Sequence, residues 1–486
     1  MHISTKNLKS QYDFIIVGTG ILGLTILQEL IKNKKKNILV IESGSFHSSN
    51  PYPKFAKTSF SKLPIKNTSR FYGVGGSSNS WGSISALFDE QDFKKSNENT
   101  FLPINFNEIK KWSSISKDYG FPSMEEFIVD NNESILNNNL AKKKFVQVKP
   151  SVSFFPKSSL LESENVDFIQ NGRVSFITKN DRKNNYKIHF FGKDKKEHSV
   201  LGLKTVICCG SIETIKILLN SGLKKDLPNI GHYFMNHPKG FIKSISVKKM
   251  SKCLKMLPEE SDSRRKYFGI MLNKESDSSK LSHYIRFERG YINPKLNRFI
   301  RKNNDKYSYE KNLIIKLFLR IKLFLPTRLE KIIVYFTKKS FVSLEFFAEI
   351  LPEKSNLVSI TKEIKSIENQ VNVDYSFNER EFQNMEDLLS SFEKYLNLEE
   401  GELSINRGKL NKLISIDSSH HLGGAICGKD KDSSVVDSDL KVHSTNNIFL
   451  CSGAVFPFGG AINPTLTFVA IALWFSNKVL IGNEKK

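Results

Sequence analysis

Short apolar runs bounded by glycine organise the start of the chain. Residues 12–17 (YDFIIV) are continuous and β-branched, the pattern of a buried strand. Residues 24–31 carry apolar positions at helical spacing, and residues 37–41 (NILVI) read as a second strand closed by Glu42. The polar stretch 50–70, with Pro51, Pro53 and Pro64, reads as an extended loop. A proline-led helix is predicted over 108–119. Strands are predicted over 166–174, 186–191 and 205–210, and a helix over 211–221 with Ile212, Ile215, Leu218 and Leu219 on one face. From about residue 240 to 398 the texture changes. Glycines thin out, basic residues accumulate, and helical and strand patterns mix. There, strands are predicted over 345–351, 357–361 and 370–375, and an amphipathic helix over 379–396. Glycines return after Ile405, leading to a strand over 447–450 and a last apolar helix over 466–481. The middle reads as a second domain inserted into the first, and no internal repeat is visible.

Gly18-Thr19-Gly20-Ile21-Leu22-Gly23 sits between the first strand and helix, the context a G-x-G-x-x-G dinucleotide motif needs. Gly18 would make the tight turn, Gly20 would let backbone approach a pyrophosphate, and Gly23 would allow close helix–strand packing. The helix start offers free N–H groups and partial positive charge to a phosphate. Glu42 stands 19 residues beyond Gly23, where a carboxylate can accept hydrogen bonds from a ribose.

At 486 residues the chain suits two or three domains, and 39% hydrophobic with 25% charged residues fits a globular protein with a sizeable core, not a disordered one. The net charge of +23 reflects either compositional drift toward Lys and Asn or an anionic partner. Five cysteines without zinc spacing predict no metal site and a reducing compartment. With only residues 1–12 ahead of the first strand and no apolar run long enough to span a bilayer, a cytoplasmic location is expected.

Five blocks in order resemble the glucose–methanol–choline (GMC) family of FAD-dependent oxidoreductases. They are the Gly18/Gly20/Gly23 unit with Glu42; GGSSNSWGS at 75–83; CCGSIETIKILLNSG at 208–222; NIGHYFMNHP at 229–238; and HHLGGAICG at 420–428 with GGAINPTLT at 459–467. In motif style the chain is closest to the sugar and polyol dehydrogenases of that family. The resemblance implies an α/β fold: a discontinuous Rossmann-like FAD-binding domain (1–239 and 402–486) around an inserted α+β substrate domain (240–401). It implies cofactor contacts at Gly18, Gly20, Ile21, Leu22, Gly23, Glu42, Gly75, Gly76, Ser77, Asn79, Trp81, Val174, Gly210, Ser452, Gly453, Pro464 and Thr465. Ser452 departs from the family's usual Asp or Gly. Ser80 stands where some members carry a histidine linked to flavin, so FAD is expected to bind non-covalently.

The resemblance aligns His420 with the family's catalytic histidine and Asn463 with its partner. The residue types suit this: a neutral imidazole can take a proton near pH 7, and a carboxamide can orient a hydroxyl without charging. HHLGGAICG has the nine-residue length of the family's H-P-L-G-G type, so the resemblance favours His420 over His421. His237 is expected to be structural. The implied reaction is oxidation of a CH–OH group, with a dehydrogenase favoured over an oxidase. The acceptor would be a quinone, a carrier protein or oxygen. The alternatives are a lyase or decarboxylase with non-redox flavin, and a membrane-associated binding protein with a vestigial site.

Residues 301–340 hold eleven Lys/Arg and three acidic residues among aliphatic runs broken by Pro326. Two basic helices are predicted, either covering the core or contacting an anionic membrane. No nucleic-acid reader motif occurs, and none is expected as a partner.

Overall fold

The computed structural model describes residues 7–46, 53, 58–95, 98–127, 134–153, 155–180, 185–261, 263–275, 277, 279–290, 341–362, 364–366, 369–405 and 414–482. The two basic helices expected over 301–340 lie outside the described residues.

The glycine-bounded runs fold as their pattern predicts. Gln11–Val17, buried from Tyr12 to Val17 apart from the half-buried Asp13, is the central strand of a seven-stranded sheet. Ile38–Glu42 and Glu197–Ile207 flank it in parallel, with Val17 beside both Ile41 and Ile207. Val166–Gln170 extends one edge in parallel. Tyr186–Phe191 and Arg173–Lys179 extend the other as an antiparallel meander. Ile448–Leu450 joins alongside residues 205–207. The carboxyl ends of three parallel strands therefore open together onto one crevice, where open α/β sheets bind their ligands.

The helix Ile21–Lys32 packs against the C-terminal helix Thr465–Phe475. Glu29 locks this layer: Tyr119 Oη donates to it at 2.7 Å and Asn477 Nδ2 at 3.1 Å. Segments more than 400 residues apart in sequence thus share one layer. This is the α/β, Rossmann-like architecture that the resemblance implied.

The second sheet is antiparallel. Its order is Ile414–Asp417, Pro238–Ser246, Phe341–Phe347, Tyr284–Gly290, Arg264–Leu272, Leu140–Val148 and Ile84–Ser85. The helix Glu379–Leu396 lies across two of these strands. Its bounds match the sequence reading because both ends are marked. Asn378 and Glu381 form a reciprocal capping box, and Asn397 closes the helix in the left-handed region at φ 55°.

Several boundaries differ from the sequence pattern. The run 166–174 is two strands, because Asn171 adopts φ 57° and turns the chain. The strand predicted over 205–210 begins at Glu197, since its polar half is zipped to Tyr186–Phe191. The strand predicted over 345–351 is Phe341–Phe347, paired on both sides. The loop 50–70 contains a short strand, Thr58–Phe60, beside Val371–Asp374. The last apolar helix ends in a π turn over Ser476–Leu480.

Candidate active site

A cavity of about 540 Å³ runs from the glycine turn at Gly18 and Gly20 to His420 and Asn463. At the first end, Gly18 makes the turn at φ 98°. A Cβ on Gly23 would lie 2.0 Å from the Gly18 carbonyl oxygen, so only glycine lets the helix start this close to the turn. A Cβ on Gly20 would meet no atom within 4 Å, so backbone is open to the cavity there. The helix that follows has no side-chain cap, leaving its first N–H groups available to an anion. Gly76, from the second glycine loop, approaches so closely that its Cβ would sit 2.7 Å from Gly20 Cα. Glu42 is buried at the cavity wall. Its Oε2 accepts from Thr19 N at 2.9 Å and Thr19 Oγ1 at 2.8 Å, and its Oε1 accepts from Gly44 N at 2.9 Å. An uncapped helix start between two glycine loops, with a carboxylate beyond, fits the diphosphate and ribose of a dinucleotide such as FAD.

At the other end, two chain segments bring histidines together. Met235 and Leu422 exchange backbone hydrogen bonds at 2.8 and 2.9 Å, and Pro238 pairs with Asp417. These two pairings bracket His237 on one segment and His420 on the other. Asn236 knits the bracket: its Oδ1 accepts the backbone N–H of His237 at 2.8 Å and of His420 at 3.2 Å. Its Nδ2 donates to Asp417 Oδ1 at 2.7 Å. His420 Nε2 lies 3.1 Å from Asn463 Nδ2, and His420 Nδ1 lies 3.0 Å from His237 Nδ1. His421 lines the same cavity but is engaged elsewhere, with Nε2 3.4 Å from Asp417 Oδ2. Asn463 sits in a tightly packed loop. Gly460 N donates to the buried Glu349 at 3.0 Å, and a Cβ on Gly459 would fall 2.6 Å from the Ile350 carbonyl.

Burial pushes the His420 imidazole well below its ordinary value, and the neighbouring His237 and Lys239 push it further. Burial likewise lowers His237 to about 4 and His283 to about 4. All three are neutral bases at neutral pH. Asp417 stays ionised: burial works against it, but His421 and the hydrogen bonds from Asn236 and the Lys66 amide outweigh burial.

These shifts predict acid sensitivity. Folded-state values below 6.5 mean that the unfolded chain binds more protons as pH falls through that value. His237 and His283 therefore each destabilise the fold by up to about 3 kcal/mol near pH 4, and His420 acts in the same direction. Glu381, raised to about 8 by burial, acts in the opposite direction, but three histidines oppose it. Melting temperature should fall between pH 6.5 and 5; a flat profile there would contradict the buried neutral histidines.

Most of the residues expected at the cofactor line this one cavity: Gly18, Gly20, Ile21, Leu22, Glu42, Gly76, Ser77, Trp81, Val174, Gly210, Gly453, Pro464 and Thr465. Gly23, Gly75, Asn79 and Ser452 do not line it. They shape the loops around it: Asn79 Nδ2 donates to the Val74 carbonyl at 2.7 Å, Gly75 adopts φ 88°, and Ser452 Oγ accepts from Ala454 N at 3.3 Å. Other cavity residues escaped the sequence reading, among them Arg70, Arg173 and Cys209 near the FAD-binding sheet, and Lys239 and Arg286 from the second sheet. His237 is against His420, a contact between residues 183 apart that no local pattern announces.

Family models for GMC oxidoreductases match residues 154–239 and 352–472. The chain belongs to this family, whose members are FAD-dependent. Pyridoxine 4-oxidase from Mesorbium loti superposes with TM-score 0.64 at 12% identity, covering 96% of this chain and 99% of that one. An FAD-dependent oxidoreductase from Chaetomium thermophilum superposes with TM-score 0.60 at 12% identity, covering 97% and 100%. Local sequence similarity reaches 40% over 63 residues with the fructose dehydrogenase large subunit of Gluconobacter japonicus, 13% of this chain and 12% of that protein. It reaches 43% over 56 residues with paromamine 6'-oxidase of Streptomyces fradiae, 12% of this chain and 10% of that protein. The chain thus matches about a tenth of the length of these curated relatives. Among the described residues no helix is long and apolar enough to cross a membrane.

Proposed function

We propose that this protein oxidises a CH–OH group of an alcohol, sugar or polyol, using FAD held along the cavity and passing the electrons to an acceptor other than oxygen. The observation that carries the reading is the pairing of His420 Nε2 with Asn463 Nδ2 at 3.1 Å, in the cavity that begins at the glycine turn. A substrate hydroxyl entering between these groups would lie within hydrogen-bond reach of both. His420, neutral, takes the hydroxyl proton on Nε2. Asn463 orients the oxygen without acquiring charge. The flavin, when bound, supplies the hydride acceptor. Asp417 and Asn236 keep the His420 segment in place as the imidazole charges. Residues 240–401 would form the substrate-binding insert, and 1–239 with 402–486 would hold FAD.

The dehydrogenase reading draws support from the style of the 75–83 loop and from local similarity to the fructose dehydrogenase large subunit. The test is turnover of a panel of alcohols, sugars and cyclitols with an artificial quinone acceptor, scoring the carbonyl product. Product formation that requires oxygen and releases peroxide would make the protein an oxidase. Carbonyl formation with neither acceptor on any member of the panel would sink the reading.

The cofactor is expected to be non-covalent, since Ser80 lines the cavity where a linking histidine would be needed. Acid precipitation should leave the yellow colour in the supernatant; colour in the pellet would refute it.

A further inference from the structure

We propose that His237 is a positioning residue for His420, accepting a hydrogen bond from His420 Nδ1–H and so fixing the tautomer that leaves Nε2 bare beside Asn463. The inference rests on the proposed role of His420, but its first test does not.

His237 Nε2 lies 3.2 Å from the Gly459 carbonyl oxygen. A carbonyl only accepts, so Nε2 carries a hydrogen. A neutral imidazole carries one N–H, so His237 Nδ1 is bare and can only accept. Neutrality is what burial imposes: His237 is fully buried. Across the 3.0 Å gap stands His420 Nδ1, and two bare nitrogens would repel at that distance. The bridging hydrogen therefore belongs to His420. His420 is neutral in its turn, so its Nε2 holds a lone pair. That lone pair faces Asn463 Nδ2, a donor, which completes the count. A carbonyl in the Asn463 loop, two imidazoles and a carboxamide form one directed chain: Gly459 C=O, His237, His420, Asn463.

The backbone holds this chain in register. The pairings of Met235 with Leu422 and Pro238 with Asp417 fix the two segments, and Asn236 Oδ1 takes the amide of each histidine. The ring centroids stand 5.1 Å apart with planes at 81°, a separation compatible with a hydrogen bond between the two Nδ1 edges. When His420 accepts the substrate proton on Nε2, its Nδ1–H still points at a neutral acceptor, so no rearrangement is needed.

The first test uses the wild-type holoprotein with ¹⁵N-labelled histidine. Nitrogen shifts should report His420, assigned by its loss in His420→Gln, as the Nδ1–H tautomer. His420 as the Nε2–H tautomer, or as a mixture, would overturn the proposal whatever the protein's activity. The second test compares His237→Phe and His237→Asn. Phenylalanine keeps the volume and removes the acceptor, while asparagine keeps an acceptor oxygen near the Nδ1 position. His237→Phe should lower kcat by about 10²-fold with KM changed far less, the pattern of a base held in the wrong tautomer. His237→Asn should recover to within about tenfold of wild type, as a restored hydrogen bond of ordinary strength allows. Equal losses in both variants would mark a packing role and overturn the proposal. Should the phenylalanine variant not fold, the tautomer measurement still decides.

Discussion

Replacing His420 by alanine is expected to slow substrate-driven flavin reduction by about 10²–10⁴-fold, the range for losing a positioned base. The expectation follows from where the side chain stands. Its Nε2 faces Asn463 in the cavity that begins at the glycine turn, and its hydrogen bonds go to Asn463, His237 and Asn236. FAD should therefore remain bound, and the visible spectrum of the variant should match wild type before substrate is added. His421→Ala provides the contrast. That imidazole pairs with Asp417 and packs against Phe234, with ring centroids 5.9 Å apart. Its loss should cost stability more than rate. Rapid-mixing measurements on both variants check the ranking, and a larger rate loss in His421→Ala would show that the wrong histidine had been assigned.

The second large effect is expected at Gly23. Any side chain there drives a Cβ to 2.0 Å from the Gly18 carbonyl oxygen and 3.4 Å from the Ile16 side chain. Backbone on one side and the helix on the other leave nothing to give way locally. Overpacking of this kind costs about 1–3 kcal/mol or more, a large part of a typical domain's stability of about 5–15 kcal/mol. Gly23→Ala should purify without flavin and melt well below wild type. Gly20→Ala separates the two consequences. Its Cβ meets nothing, so that variant should fold with a normal melting temperature, yet place a methyl group in the space facing the helix N-terminus and weaken FAD binding. Titration of each apoprotein with FAD, beside its melting curve, reads both effects. A Gly23→Ala protein with normal melting and full flavin content would contradict the close packing described here.

The parts of the fold legible in sequence are those whose causes are local. The first strand–turn–helix–strand unit is announced by a short apolar run, three glycines at fixed spacing and one carboxylate. The helix Glu379–Leu396 is announced by its caps. Boundaries failed where pairing decided them. Glu197–Leu201 is too polar to read as a buried strand, and becomes one because Tyr186–Phe191 lies beside it. The antiparallel second sheet was barely legible, since its strands are gathered from positions as distant as 84 and 417. It takes strands from before residue 239 and after residue 401 as well as from between them.

The site divides in the same way. His420 and Asn463 were nameable because each sits in a recognisable short motif. His237 lies in one too, but that motif suggests only a structural role. Its contact with His420 depends on the pairing of Pro238 with Asp417, a tertiary fact. Lys239 enters the cavity for the same reason. Sequence separation of nearly two hundred residues hides what one antiparallel pairing brings within 3.0 Å.

The central claim is that a CH–OH group loses its proton to His420 while its hydride leaves for the flavin. Anaerobic mixing of the purified holoprotein with alcohols, sugars and cyclitols, following the visible flavin absorbance, tests it most directly. The account predicts full bleaching in one kinetic phase with at least one of them, matched one-to-one by carbonyl product, and bleaching slowed when the carbinol hydrogen is replaced by deuterium. A flavin that stays oxidised while substrate is consumed, or that no such compound reduces, would contradict it.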